Sequence, residues 1–220
     1  LNETTKDGKR IDDKKTSFTE DDIYKLIKEL KSTDEKDEDA KNEHIDFIKV
    51  ALFTGMRIGE LSLLEKVDID IDLKTINIKE GKTESAARTI PIHPYIEDII
   101  FSRMKKSRNN ILFFEGNTDA NGKRLNRRIN KIIPDKNKTF HQLRYSFVQS
   151  LYAQMEKQLI DETAIKYLTG HSQNKNLTFS LYNESRLPLN LLREIINRIK
   201  IDEVIERVSI FDKSKVDISL

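Results

Sequence analysis

The sequence predicts a mainly helical chain carrying one small antiparallel β-sheet, an α+β domain, and three observations point there. Along most of the chain apolar residues recur at three- and four-residue intervals, the period of amphipathic helices. Three short segments, VDIDID, TINIKE and RTIPI, alternate apolar and polar instead, the period of strands. Turns at Asp72–Lys74 and through EGKTESA separate these three segments, so the strands form a meander.

Residues 1–15 show no periodicity and read as a linker. Thr19 is placed to cap a first helix, with Asp22 completing a capping box, and Ile23, Leu26, Ile27 and Leu30 give that helix an apolar stripe. The acidic run STDEKDEDAKNE is expected as a solvated loop. A second helix is predicted from about Asn42 to Gly55, a helix-ending glycine. MRIGELSLL follows as a short helix, and the strand segments come next. Helical periodicity returns in PYIEDIIFSRMKK, and in LNRRINKII after a loop containing Gly122. It continues through HQLRYSFVQSLYAQM, ETAIKYL, LTFSLYNE and LPLNLLREIINRIK.

With 220 residues, 37% hydrophobic and 35% charged, the chain is long enough to bury a core and too polar to sit within a bilayer. No signal-peptide pattern opens it, and it contains no cysteine, so a cytoplasmic protein without disulfides or thiolate metal sites is expected. It begins at Leu1, and a preceding segment is expected. The net charge of +2 conceals a segregation: residues 1–80 carry 15 basic and 21 acidic side chains, residues 81–145 carry 14 and 6, and the remainder 10 of each. The middle segment would attract a polyanion. Lys123, Arg124, Arg127 and Arg128 fall within it, on and just before one predicted helix, and are candidate DNA-backbone contacts.

Several residues carry potential chemistry. Arg57 follows a helix-ending glycine in TGMRIGEL, with Glu60 three residues on and on the same helical face. Lys82 lies in the turn of the second hairpin. His141 and Arg144 are spaced three apart in FHQLRYSF and share a helical face, while Phe140, Leu143 and Phe147 can seat that helix in the core. His171 follows Gly170 in LTGHS, and Tyr182 stands in NLTFSLYNES. His44 and His93 lack comparable surroundings and read as structural. Taken singly, each has an ordinary explanation: a solvated cation, a core histidine, a packed tyrosine.

Taken in order, Arg57 with Glu60, Lys82, His141 with Arg144, Gly170-His171 and Tyr182 resemble the catalytic signature of the tyrosine recombinases, the family of phage integrases, Xer proteins and Cre. FTEDDIYKLI resembles the usual opening of that family's catalytic domain. Tyr182 follows His171 by eleven residues, a longer interval than is common in the family, with the polar SQNKN stretch accommodating the difference. The resemblance implies the family's catalytic-domain fold over residues 16–187. It also implies a linker at 1–15 from an N-terminal core-binding domain, and a C-terminal segment, 188–220, whose stripe Leu192, Ile195, Ile196, Ile199, Val204, Ile205 and Val208 has two readings: it folds back on its own domain, or some or all of it docks on a neighbouring protomer.

The chemistry that the resemblance implies is metal-independent transesterification without cofactor or ATP. Arg57 and Arg144 suit the non-bridging phosphoryl oxygens, because each guanidinium offers a two-pronged donor that lysine cannot reproduce. In that scheme His171 adds a donor, Lys82 protonates the leaving 5′ oxygen, His141 assists removal of the Tyr182 proton, and Glu60 orients the cluster. The partners implied are a double-stranded DNA recombination site and a homotetrameric synapse, and the implied location is the nucleoid. The 38 residues after Tyr182 lean the reading toward a mobile-element integrase. The alternatives are a Xer-type chromosome-dimer resolvase, a relative of type IB topoisomerases, and a DNA-binding protein of the same fold without activity.

Overall fold

A computed structural model describes residues 17–32, 38–79, 87–114, 118–170 and 187–207. Its element order is α1 (Glu20–Ser32), α2 (Glu38–Thr54), α3 (Ile58–Ser62), β1 (Ile69–Asp70), β2 (Thr75–Ile78), β3 (Arg88–Pro91), α4 (Pro94–Lys106), α5 (Thr118–Ile132), α6 (Phe140–Glu156), α7 (Glu162–Thr169) and α8 (Leu189–Asn197). A further helical stretch covers residues 201–207. The mainly α architecture with a small antiparallel sheet is the one the periodicities predict.

Helix α2 is the centre of the packing. Its run IDFIKVALF is almost continuously apolar, and a helix apolar on all sides must be surrounded by other elements. Phe47, Ile48, Val50, Ala51, Leu52 and Phe53 are all essentially inaccessible. Phe47 meets Phe113, Phe114 and Phe140 at ring-centroid distances of 5.4, 5.0 and 5.2 Å, which joins α2 to the start of α6. Gly55 ends α2 with φ +61, and a Cβ there would lie 2.2 Å from the Phe147 ring. Only glycine permits both that turn and that approach.

Helix α1 begins as its capping box predicts: the Thr19 amide donates to Asp22 Oδ2 at 2.8 Å and the Asp22 amide to Thr19 Oγ1 at 3.2 Å. Lys138, just before α6, pairs with the same Asp22 carboxylate. The sheet order is β1-β2-β3, with Ile69 opposite Ile76 and Ile76 opposite Ile90. These three isoleucines form a buried cross-strand row, as alternation requires. Both histidines read as structural are buried: His44 Nδ1 lies 2.7 Å from the Ala40 carbonyl, and His93 caps α4 by accepting from the Tyr95 amide at 3.1 Å.

Three local expectations are corrected. The acidic run does not stay a loop throughout, because α2 already begins at Glu38, where Glu38 and Asp39 favour the positive end of the helix dipole. The segment VDIDID forms a strand only at Ile69–Asp70; residues Lys66–Asp68 wind as a 3-10 turn, with the Glu65 amide donating to Asp68 Oδ2 at 3.0 Å. Helix α5 begins at Thr118, so Gly122 lies inside it rather than in a preceding loop. A Cβ at Gly122 would stand 3.1 Å from Ile58 Cδ1, so the missing side chain lets α5 lie close against α3.

The described part of the C-terminal stripe packs on its own domain, the first of the two readings. Leu192, Ile195, Ile196, Ile199, Val204 and Ile205 are buried in the chain's own core, and Gln154 of α6 donates to the Ile195 carbonyl at 3.1 Å. These side chains are buried within one chain. Val208 lies outside the described residues, as does the helix expected over LTFSLYNE. Ile195→Ala should therefore cost about 2–4 kcal/mol of unfolding free energy. Urea titrations at two protein concentrations check it: coincident midpoints are expected, whereas a concentration-dependent midpoint would place the helix on a second copy.

Candidate active site

The short helix α3 brings Arg57 and Glu60 together. The Arg57 amide donates to Glu60 Oε2 at 2.9 Å, and Arg57 Nη1 donates to Oε1 at 2.8 Å. Glu60 is therefore both cap of its own helix and partner of the preceding arginine. Arg57 keeps 42% of its side chain exposed, whereas Glu60 keeps 10%. The arginine faces an open cleft and the carboxylate lies beneath it.

Helix α6 supplies the second half of the site. The Phe140 amide donates to Asn126 Oδ1 at 2.8 Å, which fixes the start of α6 against α5. His141 is exposed at that end, with its ring 5.5 Å from Tyr145, and Arg144 is buried one turn deeper. Met56, Arg57, Ile58, Asn126, Thr139, Phe140, His141 and Arg144 line a cleft of about 100 Å³. Four of the predicted residues, Arg57, Glu60, His141 and Arg144, are thus brought to one place. Lys82, His171 and Tyr182 lie outside the described residues, although His171 directly follows Gly170 in the chain.

Sequence reading missed Arg88, at the start of β3. Its guanidinium side chain is fully buried. Nη2 donates to Glu60 Oε2 at 2.8 Å, Nη1 to Oε1 at 3.2 Å, and Nε to the Leu168 carbonyl at 3.0 Å. The signal that could have found it is alternation: Arg88 shares the inward face of its strand with Ile90 and Ile92, and an inward arginine requires a buried acceptor.

The end of α7 ties the arginines together. Its last carbonyls have no partner within the helix. Leu168 O accepts from Arg88, Thr169 O from Arg144, and Gly170 O from Arg57 Nη2 at 3.2 Å. Arg144 Nη1 also donates to the Gly55 carbonyl at 2.6 Å. Gly170 has φ +60, and a Cβ on it would sit 2.7 Å from Arg88 Nη1, so glycine is required there twice over.

Three guanidinium groups and one carboxylate leave this cluster with a net positive charge facing the cleft. Burial alone would raise the Glu60 pKa, but the Arg88 fork and the Arg57 contacts outweigh it and hold the carboxyl at about 2. Burial, followed by repulsion from Arg57 and Arg88, draws Arg144 down to about 10, still protonated at neutral pH. Such an arrangement can attract and hold an anion such as a phosphoryl group.

Because the Glu60 pKa lies below its ordinary 4.5 in the folded state, unfolding takes up a proton as the pH falls through that window. The stability contributed by Glu60 is complete above about pH 4.5 and declines below it at about 1.4 kcal/mol per pH unit. Glu60→Gln removes that dependence. Urea unfolding from pH 7 to pH 3 should show the wild type converging on the variant below pH 4.5; parallel curves would contradict the ion-pair account.

Comparison with known proteins bears on the family and the fold. The model of the phage integrase family matches residues 16–187. No curated protein sequence matches the chain significantly. Among solved structures, an integrase from mycobacterium phage Brujita superposes with a TM-score of 0.61 at 17% identity, covering 86% of this chain and 62% of that one. The Tn1549 transposon integrase, solved in complex with transposon right end DNA, gives 0.55 at 21% identity, covering 84% and 66%. XerA recombinase gives 0.54 at 23% identity, covering 82% and 62%. The chain thus spans no more than about two thirds of the length of these structures. With a family model matched over most of its length and the corresponding catalytic-domain fold, the chain belongs to the phage integrase family of tyrosine recombinases.

Proposed function

We propose that this chain cuts and rejoins double-stranded DNA at a specific site through a covalent bond to Tyr182. The observation that carries the reading is the convergence of Arg57 and Arg144 on one cleft beside His141, with Glu60 beneath them. Two fixed guanidinium groups can bind the non-bridging oxygens of a phosphodiester and stabilise the charge that builds there during displacement.

In the proposed step the Tyr182 hydroxyl oxygen attacks phosphorus, and the bond from phosphorus to the 5′ oxygen breaks. The tyrosine proton passes toward His141, and Lys82 gives a proton to the departing 5′ oxygen. A tyrosine with an ordinary pKa of about 10 needs such help to become a nucleophile. His171 supplies a further donor to the phosphoryl oxygens. The 3′-phosphotyrosine keeps the energy of the broken bond, so a second 5′ hydroxyl reverses the step without ATP. Residues 16–187 would form the catalytic unit, and four copies would assemble on two duplexes. Integration or excision of a mobile element on nucleoid DNA is the biological role we adopt.

Helix α5 supplies the complementary surface for the DNA backbone. Leu125 and Ile129 are buried, while Lys123, Arg124 and Arg127 are exposed and Arg128 is half-buried beside them. These cations flank the cleft, because Asn126 on the same helix lines it.

Tyr182→Phe should abolish covalent attachment to a nicked suicide duplex while leaving its binding nearly unchanged. Gel-resolved trapping of the full-length protein on the site that it protects in footprinting tests this, and trapping of the Phe variant at wild-type levels would sink the assignment. Replacing Arg127 and Arg128 with Gln should flatten the slope of log affinity against log salt by roughly one unit for each phosphate that is no longer neutralised. An unchanged slope returns the cluster to an ordinary solvated face.

A further inference from the structure

The geometry points to Arg88 as a positioning residue for DNA cleavage: it occupies the Glu60 carboxylate from below, so that Arg57 stays oriented by Glu60 without being neutralised by it. The inference rests on the function proposed above and adds a residue to Arg57, Glu60, Lys82, His141, Arg144, His171 and Tyr182.

Each Glu60 oxygen accepts from both arginines. Oε1 takes Arg57 Nη1 at 2.8 Å and Arg88 Nη1 at 3.2 Å; Oε2 takes the Arg57 amide at 2.9 Å and Arg88 Nη2 at 2.8 Å. The two partners differ in what they can do next. The Arg88 side chain has no exposed surface and lies on strand β3 with its Nε on the Leu168 carbonyl, so its charge is committed to the interior. Arg57 is 42% exposed and lines the cleft. A buried carboxylate must be paired, and the Arg88 fork meets that need. Without it the whole carboxylate charge would fall to Arg57, which would be drawn down and would offer less positive charge to a phosphate.

Arg88 also fixes the segment that leads into His171. It holds the Leu168 carbonyl, and its Nη1 fills the place where any side chain at residue 170 would put its Cβ. One side chain therefore sets the height of Arg57 through Glu60 and the path of the chain at Gly170. Displacements on the order of 1 Å in such positioning groups can cost ~100-fold in rate.

A double-mutant cycle in the full-length protein tests this. Single-turnover cleavage of the nicked suicide duplex is measured at saturating protein for the wild type, Arg88→Met, Glu60→Gln and the double variant, with DNA affinity and melting temperature alongside. Arg88→Met should cleave at least about tenfold more slowly, with DNA affinity within about threefold. In the Glu60→Gln background the same change should cost clearly less, because no carboxylate is left to capture Arg57 and only the support of the Leu168 carbonyl is lost. Wild-type cleavage by Arg88→Met, or an equal loss in both backgrounds, overturns the inference. If Arg88→Met does not fold, Arg88→Gln, which retains a donor for the Leu168 carbonyl, carries the same cycle. NMR titration of the Glu60 carboxyl gives a readout independent of activity: it should rise from about 2 toward its ordinary 4.5 once Arg88 is replaced. A carboxyl that stays low without Arg88 overturns the inference, whereas a wild type that never attaches to DNA overturns the proposed function instead.

Discussion

The last turn of α7 joins parts of the chain more than a hundred residues apart. Three consecutive carbonyls, of Leu168, Thr169 and Gly170, accept from Arg88, Arg144 and Arg57, which come from a strand, a long helix and the cap of a short one. A helix C-terminus carries a partial negative charge and unsatisfied acceptors. Guanidinium groups answer both needs, and the helix end in turn gives three mutually repelling cations a common anchor. Glu60 pairs with two of them, Arg57 and Arg88, at hydrogen-bond distance. The fold thus holds three guanidinium groups at a cleft with one carboxylate and several backbone carbonyls, so their positive charge is not cancelled.

That arrangement needs a rigid support, and α2 provides it. Its buried faces pack against α6, and the Phe47 cluster sets where α6 begins. The Gly55 turn then delivers Arg57 on one side and presents a carbonyl to Arg144 on the other. A site whose groups stand on packed helices and strands keeps its geometry better than one carried on loops.

Much of this is readable in the residues. The α2 run, the Thr19 capping box and the period change at the strands each have local causes, and local causes leave local patterns. The grouping of Arg57, Glu60, His141 and Arg144 comes from their order and context and not from any one motif. What escapes is non-local. Arg88 pairs with a carboxylate 28 positions away, and nothing near it in sequence announces that partner. Gly122 reads as a loop signal because glycine is a poor helix former, while its actual cause is the approach of Ile58 from another element. The C-terminal stripe shows that a partner is needed, but an amphipathic pattern does not say whether the partner lies in the same chain.

Helix α5 touches both halves of the site. Gly122 lets it lie against Ile58, next to Arg57, and Asn126 holds the first amide of α6. Its outward residues, Lys123, Arg124 and Arg127, alternate along the same few turns with these inward ones. Altering the charge that this helix presents is therefore an exercise with a fixed grammar. Positions 123, 124 and 127 can be randomised in a library at little cost to the fold. Positions 122 and 126 must be kept, because a change there would move Arg57 and the start of α6 along with the helix.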